Sequence, residues 1–383
     1  MDHQSILRNQ HYARSEEAKK LVITDSKGSV LISDEGKEYI DFSSGWCVGN
    51  LGWKHPVIMK ALQKFDGPTY VSPHLEYGPW IELSNILSEM TPGKLSKCFR
   101  ATGGTEAVEI ALQAAMAFTG REEFIAIEKA YHGNSIAARA LNEDSPFFNW
   151  KKIKAPLTGD SLKDLERMLK TKKVAAFIME PVSMNMDVLA PEPEFMEGMQ
   201  KLCRKYGTLI IMDEVACGFG RTGKLFATEY FDIRPDIMCL GKALSGGHAA
   251  IGATLMTKEV GEKLAEEEYP YSTFGWHPLS VAASLAAVKF FRDNWSELDE
   301  NIRSLNEYFR QRLSEMKFKV TPEIRIMGMA IQLDFKNSDY GDKIEERAFK
   351  KGLILAGGVT MLPPLTLDLK TARKGLDILE ECL

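Results

Sequence analysis

Residues 235–247 read PDIMCLGKALSGG, and this stretch decides how the rest of the chain is interpreted. The apolar run 237–240 is bounded by turn residues, which predicts a short buried strand. Lys242 would then follow the carboxyl end of that strand, where open α/β sheets bind their ligands. An amine that emerges from a buried strand is desolvated and therefore suited to attack an aldehyde cofactor. The alternative is a lysine with a buried stem whose ammonium group simply reaches water.

The composition is that of a globular protein large enough for two domains. The chain has 383 residues, of which 44% are hydrophobic, and a net charge of -5. This charge provides no basic surface, so nucleic acid is not an expected partner. Six cysteines occur without a CxxC pair, which argues against a zinc or thioredoxin-like site and against a disulfide framework.

The chain shows no sign of a membrane or export segment. Residues 1–20 are polar and charged without an apolar core, and no stretch is long enough to span a bilayer. We therefore expect a cytoplasmic protein that has no membrane partner, and we interpret residues 1–20 as a helical or loose arm.

Apolar runs alternate with helical stretches through the middle of the chain. Runs at 124–127, 174–179 and 208–212 predict buried strands, and stretches such as 193–206 predict helices between them. This β-α-β rhythm predicts an α/β fold with a mostly parallel sheet. Short β-like runs at 21–42 and a changed pattern after residue 290 predict a smaller α+β domain built from both ends of the chain. The predicted divisions are 1–50 (part of the small domain), 51–290 (large domain) and 291–383 (small domain).

A glycine-rich turn opens a long alanine-rich helix that ends at Gly120. Gly103, Gly104 and Thr105 stand at its start. Free N–H groups and the positive end of the helix dipole suit a phosphate at such a turn. The alternative is an ordinary helix start at which Thr105 caps the first turn.

Asp213 follows the clearest predicted strand, 29 residues before Lys242 (242 − 213). A buried aspartate needs a cation, and the protonated ring nitrogen of a pyridine-type cofactor would supply one. The alternative is a salt bridge to Arg221.

The segment GFGRTG at 218–223 matches the glycine pattern of dinucleotide-binding proteins. That fingerprint also requires a helix to open at the third glycine, and the residues that follow leave little room for one before Pro235. No histidine pair has metal-ligand spacing, so we expect no metal site, and no Ser-His-Asp signature is present.

Together these motifs resemble the class III (ω-type) aminotransferases of the fold type I pyridoxal phosphate (PLP) enzymes. The resemblance runs from the Ser44-Gly45 loop to the Pro-Pro-Leu at 363–365, and its most specific part is DEV at 213–215, GFGRTG at 218–223, PD at 235–236 and LGKALSGG at 240–247. Local similarity extends to amine:pyruvate transaminases and to glutamate-1-semialdehyde aminomutase.

The resemblance implies a cofactor, PLP, and a set of residues that bind it. It implies that Lys242 forms the Schiff base and moves the substrate proton, and that Asp213 pairs with the pyridinium nitrogen. The other implied cofactor contacts are Val215 and Tyr131 on the two ring faces, His132 beside Tyr131, Glu180 at the Glu-Pro strand end, and Gly103, Gly104 and Thr105 around the phosphate. Thr273 resembles a threonine that reaches the phosphate of the neighbouring subunit, which implies a homodimer with shared active sites.

Departures from the family pattern bear on the substrate. Ornithine- and GABA-type members have a glutamate where this chain has Asn185, and an arginine for the α-carboxylate where it has Thr360. Their joint absence favours donors whose amine lies away from an α-carboxylate, although Asn185 and Thr360 are equally interpreted as fillers. Ala216 replaces a glutamine that contacts the cofactor. Trp46 resembles an aromatic pocket wall of amine:pyruvate transaminases, with an ordinary core residue as the alternative.

We therefore expect a PLP-dependent aminotransferase that moves an amino group from an amine or amino acid to a keto acid or aldehyde. One alternative is an aminomutase of the glutamate-1-semialdehyde type. Others are a racemase or decarboxylase on the same scaffold, a non-catalytic binding protein and, more remotely, an NAD enzyme.

Overall fold

The computed structural model describes residues 21–267 and 270–383, so the predicted arm at 1–20 lies outside the described residues. In chain order the strands are β1 (Ile23–Lys27), β2 (Val30–Ser33), β3 (Glu38–Asp41), β4 (Leu95–Ala101), β5 (Glu123–Ile127), β6 (Lys151–Ile153), β7 (Val174–Met179), β8 (Leu209–Asp213), β9 (Ile237–Leu240), β10 (Gly252–Thr257), β11 (Glu323–Met327), β12 (Ala330–Asp334), β13 (Leu353–Ile354) and β14 (Thr360–Met361).

The helices, again in chain order, are α1 (Pro56–Gln63), α2 (Gly78–Met90), α3 (Gly104–Thr119), α4 (Ile136–Asn142), α5 (Ser161–Leu169), α6 (Pro193–Tyr206), α7 (Lys258–Glu267), α8 (Pro278–Asp293), α9 (Trp295–Glu315), α10 (Ser338–Lys350) and α11 (Leu369–Glu380). Shorter turns of helix occupy Ser44–Cys47, Ala227–Tyr230 and Lys242–Ser245.

The largest sheet has seven strands in the order β4-β10-β9-β8-β7-β5-β6. Neighbouring strands from β9 to β6 pair in parallel, whereas β10 is antiparallel to both β9 and β4. The structure thus confirms the predicted α/β fold with a mostly parallel sheet.

Helices cover both faces of this sheet. Phe124 and Ala126 of β5 pack in the same cluster as the apolar side of α3, whereas Ile125 and Ile127 pack on the opposite face with α5 and α6. Every residue of β7 is buried, as expected for a strand with both faces covered. This burial explains why the central strands are nearly continuous apolar runs in the sequence.

Both ends of the described chain meet in a smaller four-stranded sheet, β1-β2-β3-β13. β13 pairs in parallel with β3, with Leu353 opposite Ile40. A third sheet, β11-β12-β14, lies entirely in the C-terminal part of the chain. The N-terminal strands therefore join the C-terminal segment as the predicted fold class requires, while the exact domain boundaries stay a prediction.

The helix ends follow local sequence signals. α1 and α6 begin with proline in the first turn, where the missing N–H costs no hydrogen bond. α3 ends at Gly120 with a φ of 65°, a left-handed conformation that glycine adopts without steric cost. α2 begins at Gly78, and Pro79 lies in its first turn, where proline is also accepted.

The glycine motif at 218–223 forms tight turns. Gly223 N–H donates to the carbonyl of Gly220, and the next regular element is the short 3₁₀ turn at Ala227–Tyr230. Because no helix opens at the third glycine, the motif lacks the geometry of a dinucleotide site.

Three further predictions concern membranes, metals and cysteines. In the part of the chain that the structure describes, no helix is long and apolar enough to cross a membrane. Within the same residues, no cluster of three or more His, Cys, Asp or Glu side chains could hold a metal ion. All six cysteines are free thiols.

Candidate active site

Four adjacent parallel strands of the large sheet end next to predicted site residues. β8 ends at Asp213, β7 is followed by Glu180, β9 is followed after one glycine by Lys242, and the segment after β5 carries Tyr131 and His132. Because the carboxyl ends of parallel strands meet at one edge of a sheet, these side chains converge there.

A cavity of about 410 Å³, here called the inner cavity, lies at this edge. All predicted site residues except Gly103, Thr273 and Thr360 line it. Its lining consists of Trp46, Gly104, Thr105, Tyr131, His132, Gly133, Glu180, Met184, Asn185, Asp213, Val215, Ala216 and Lys242. A cavity of this size accommodates a small cofactor or ligand.

Asp213 is buried, with 2% of its surface exposed, and both carboxylate oxygens accept hydrogen bonds. Oδ1 accepts from Val215 N–H at 3.0 Å, and Oδ2 lies 2.7 Å from Nδ1 of His132. The alternative of a salt bridge between Asp213 and Arg221 is wrong. Arg221 is buried elsewhere and donates to the carbonyls of Met329 and Pro363.

His132 is fixed on its backbone side as well. Its N–H donates to Oδ1 of Asn142 at 2.8 Å, and the amide of Asn142 donates to the Gly133 carbonyl at 3.0 Å. The buried Nε2 has no hydrogen-bond partner within the described residues. The His132–Asp213 pair is therefore held in one geometry. A carboxylate that binds a ligand needs this kind of support from its neighbours.

Lys242 begins the 3₁₀ turn at Lys242–Ser245 directly after Gly241 and is half-buried. Its φ of 43° is positive, which is uncommon for a residue with a side chain. Such backbone strain is found where the surroundings hold a functional residue in place. No ion pair occupies its ammonium group within the described part of the chain, so the amine is available to a ligand in the inner cavity.

The start of α3 is free for an anion. The residue before its first turn is Gly103, and no side chain caps the helix there. The alternative in which Thr105 caps this helix is therefore wrong, because Thr105 lies inside the first turn. The first N–H groups of a helix have no partners within it, so those of α3 point toward the inner cavity uncapped.

Two glycines let neighbouring segments approach this helix start. A Cβ on Gly133, whose φ is 136°, would lie 2.7 Å from Oγ1 of Thr105. A Cβ on Gly104 would lie 2.6 Å from Cγ1 of Val215. Both contacts are too close for any larger residue, so the walls of the cavity depend on these glycines.

Glu180 is buried beside Asp213. Its carboxyl group accepts hydrogen bonds from Ser183 Oγ at 2.8 Å and Met184 N–H at 3.3 Å. Burial, followed by the nearby charge of Asp213, raises the pKa of Glu180 to about 7. Glu180 can thus hold a proton near neutral pH inside the cavity.

Trp46 lines the cavity with 42% of its surface exposed, so the alternative of an ordinary core aromatic is wrong. It lies in the short turn Ser44–Cys47, where the φ values of Gly45, Trp46 and Cys47 are all positive. This backbone turns the indole away from the core and into the cleft, an arrangement that neither composition nor periodicity reveals.

Thr360 lies outside the inner cavity. It is 4% exposed, and its hydroxyl donates to Oε1 of Gln332. Both residues line a second cavity of about 370 Å³, here called the outer cavity. The two cavities share Trp46, Met184 and Asn185, so Asn185 stands where they join.

Thr273 is exposed in the turn at 273–276 and does not reach the inner cavity of its own chain. Neighbouring side chains in sequence, Tyr271 and Phe274, are each 63% exposed.

Met184 and Gln332 also line these cavities, although neither is a predicted site residue. Met184 follows Glu180 by four residues, and its N–H donates to the Glu180 carboxyl group. The Glu-Pro turn in the sequence could therefore have indicated that Met184 lies at the site. Gln332 lies in β12, and only the pairing of Gln332 with Thr360 across β12 and β14 brings it to the site. No sequence signal indicates that pairing.

The chain is similar to a known family and to several solved structures. The family described as Aminotransferase class-III matches residues 11–383. A thermostable six-fold mutant of an omega transaminase from Pseudomonas jessenii is 26% identical, covers 99% of this chain and 97% of its own, and superposes with a TM-score of 0.90. The Pseudomonas jessenii omega transaminase in complex with PMP is 25% identical over 99% of this chain and 96% of its own, with a TM-score of 0.90.

A further structure shares the fold at lower identity. The (S)-enantioselective omega-transaminase from Thermomicrobium roseum is 24% identical, covers 99% of this chain and 98% of its own, and has a TM-score of 0.88. The match to the family extends over nearly the whole chain, including every strand that builds the cleft. The chain therefore belongs to the class III aminotransferases, enzymes that use pyridoxal phosphate to catalyse transamination.

Proposed function

We propose that Lys242 is the catalytic residue of this aminotransferase and holds the aldehyde carbon of PLP covalently. The observation that carries this assignment is that Lys242, just after β9, and the buried Asp213, at the end of the adjacent strand β8, line one cavity. The cofactor supplies the electron sink that lets the Cα–H bond of an amine be broken. The nucleophile, the charge partner and the anion site for this chemistry all belong to the inner cavity.

The residues of the inner cavity fit the two ends of PLP. The uncapped N–H groups of α3, with Gly103, Gly104 and Thr105, suit its phosphate. Asp213 suits its pyridine nitrogen, since this buried carboxylate has no lysine or arginine partner among the described residues. A protonated ring nitrogen would provide the missing cation, and His132 would keep the carboxylate oriented toward it.

The ring itself would lie between two side chains. Val215 lines the cavity beside the start of α3, and Tyr131 lines it from the segment after β5. We assign Val215 to one ring face and Tyr131 to the other. Glu180 stays near the ring edge, where its neutral form could donate a hydrogen bond.

Lys242 has a second task, which is to move a proton. Lys242 lines the inner cavity, and its amine would take the proton from the substrate carbon that bears the amino group and deliver it to the aldehyde carbon of the cofactor. Trp46 and Asn185, at the open side of the cavity, would position the substrate and limit its entry.

The donor is proposed to be an amine that carries no α-carboxylate, and the acceptor a keto acid or aldehyde. This is supported by the lining of the inner cavity, in which no arginine occurs among the described residues. Thr360, at the position of the family's carboxylate-binding arginine, is neutral and paired with Gln332.

An absorbance measurement tests this function. Purified protein loaded with PLP is mixed with single donors and no acceptor: simple amines, ω-amino acids and α-amino acids. We expect the visible band of the bound cofactor to bleach, fastest with simple amines. A band that no donor bleaches would overturn the transaminase assignment, and fastest bleaching by α-amino acids would overturn the donor class.

We also propose a homodimer with shared active sites, in which Thr273 contacts the phosphate bound to the partner chain. It is supported by the exposure of Thr273 together with Tyr70, Tyr271 and Phe274. Exposed aromatic side chains in one region are typical of an interface. Sedimentation of the loaded protein should give a dimer mass, and a monomer would refute this proposal.

The proposed location is the cytoplasm. Its support is the presence of six free cysteines, five of them buried, which a reducing compartment keeps as thiols. Fractionation of the source cells would test it, and recovery from an oxidising compartment would refute it.

A further inference from the structure

The outer cavity continues the inner cavity away from Lys242. Trp46, Met184 and Asn185 line both, so the two cavities adjoin at these three side chains. The outer cavity is bounded by β12, the segment before β14 and the start of α10. The two adjoining cavities are here called the cleft, and a donor whose amine reacts in the inner cavity would have its far end toward the outer cavity.

A buried polar pair lines the far part of this cleft. Gln332 and Thr360 are 6% and 4% exposed, and the Thr360 hydroxyl donates to the Gln332 carbonyl oxygen. The Gln332 amide nitrogen donates to the carbonyl of Leu333 at 3.3 Å. The oxygens of Thr360 and Gln332 keep lone pairs that a donor-only group such as an ammonium can use. The pair provides no positive charge for a carboxylate.

The remaining charges of the outer cavity are mostly negative. Its lining includes three carboxylates, those of Asp187, Asp334 and Asp342, and one ammonium group, that of Lys336, which leaves a net charge of -2 (1 − 3). Lys336 is already paired with Asp334 at 2.7 Å and with Glu323 at 2.8 Å. Its charge is therefore neutralised within the protein and is not available to a substrate.

Asp187 and Asp342 make no ion pair with any described residue. Asp187 follows the Glu180 turn and has a positive φ of 60°, Asp342 lies in the first half of α10, and both line the outer cavity. Burial, and then the charge of Asp334, raises the pKa of Asp187. A cation in the outer cavity would be attracted by both of these unpaired carboxylates.

We propose that the outer cavity binds the far end of the amino donor and selects a second positively charged nitrogen over a carboxylate. The substrate class is then a diamine or a related amine with a distal ammonium group. This inference rests on the proposed function, because the reacting amine must first reach the cofactor at Lys242. It assigns Gln332, Thr360, Asp187 and Asp342 to substrate selection.

Three donors of equal length separate this inference from the proposed function: 1,5-diaminopentane, pentylamine and 5-aminopentanoate. The rate of bleaching of the PLP-loaded enzyme gives kcat/KM for each donor in the half-reaction. We expect kcat/KM to be highest for the diamine, lower for pentylamine and lowest for 5-aminopentanoate, with about a tenfold difference between the highest and the lowest value. Equal values, or a preference for 5-aminopentanoate, would overturn the inference, whereas no bleaching by any donor would overturn the proposed function.

Variants test which residues make the selection. Asp187→Asn combined with Asp342→Asn should lower kcat/KM for the diamine to a value close to that for pentylamine. The value for pentylamine itself should change little. Thr360→Arg should raise kcat/KM for 5-aminopentanoate above that for the diamine. Because the readout is a ratio of donors within one variant, a general loss of folded protein lowers all three rates and leaves the ratio unchanged.

Asp164→Asn, at an exposed position on α5 that lines neither cavity, is the matched control and should keep the wild-type ratio. A double aspartate variant with the wild-type ratio would overturn the inference. A substantial rise in the KM for the diamine at constant kcat is the expected kinetic form, since the distal contact is made equally in the ground and transition states.

Discussion

The inner and outer cavities are built from different parts of the fold. The inner cavity is formed by the ends of β7, β8 and β9 and the start of α3, and its polar groups are fixed by buried hydrogen bonds such as that between Asp213 and His132. The outer cavity is formed by β12, the segment before β14 and α10, with exposed carboxylates at its rim. The comparison indicates that the reaction chemistry is placed on the rigid sheet, whereas substrate selection is placed on peripheral elements.

Replacing Lys242 should have the largest effect and act only at the inner cavity. Lys242→Ala removes both the amine that would hold the cofactor and the group that moves the proton, so we expect the half-reaction rate to fall by about 10⁴-fold or more. Stopped-flow absorbance with pentylamine measures it. Lys224→Ala, on an exposed turn, is the matched control. A Lys242→Ala enzyme with near-normal rates would place the chemistry elsewhere.

Glu180 should make the stability of the cofactor-free protein depend on pH. Its pKa is raised in the folded state from the usual 4.5 to about 7, mainly by burial and then by Asp213. The folded chain therefore binds more protons than the unfolded chain between these values, and stability falls as pH rises through this window by roughly 3 kcal/mol.

Urea titrations between pH 4.5 and 8 measure this dependence. Glu180→Gln should remove the part of this fall that Glu180 contributes, because the neutral amide carries no charge at any of these pH values. Glu194→Gln, exposed on α6, should keep it. If the unfolding free energy depended on pH in the same way in both variants, Glu180 would not titrate between pH 4.5 and 8.

Asp213→Asn should weaken the inner cavity without unfolding the sheet. The loss of a charged hydrogen-bond acceptor at the ring nitrogen should lower the half-reaction rate about 100-fold, which corresponds to roughly 2.7 kcal/mol. Asp236→Asn is the informative comparison, since Asp236 is also buried on this sheet but pairs with Arg204 at 2.6 Å. It should lower the Tm and spare the half-reaction of the folded fraction; the reverse pattern would contradict the assignment.

Trp46→Ala should produce the smallest effect and act at the junction of the two cavities. Removal of the indole enlarges the junction between the two cavities. We therefore expect the ratio of kcat/KM for bulky amines to that for small amines to rise by roughly fivefold, or about 1 kcal/mol. The ratio of kcat/KM for 1-phenylethylamine and propylamine measures this. Phe147→Ala, at a side chain that is 72% exposed, is the control. An unchanged ratio would remove Trp46 from the substrate passage.

Much of the fold could be predicted because the large sheet has a strong local signal. Val174–Met179 is apolar and buried along its whole length, and Pro193–Tyr206 carries a proline start and a glycine end. Each element is specified by residues within it. Strand pairing between distant segments, such as β3 with β13, has no such signal because its partners are more than 300 residues apart.

The candidate site also contains residues that the sequence predicts and residues that only contacts between distant segments bring together. The family, the large sheet and the residues at its carboxyl edge can be predicted from the sequence, since Asp213 and Lys242 come just after strands whose burial is encoded locally. The contact of His132 rather than Arg221 with Asp213, the exposure of Trp46 to the cavity, and the outer cavity that Gln332 and Thr360 share became visible in the folded chain. Side-chain contacts between distant segments depend on how whole elements pack, whereas the end of a strand is fixed by the strand itself.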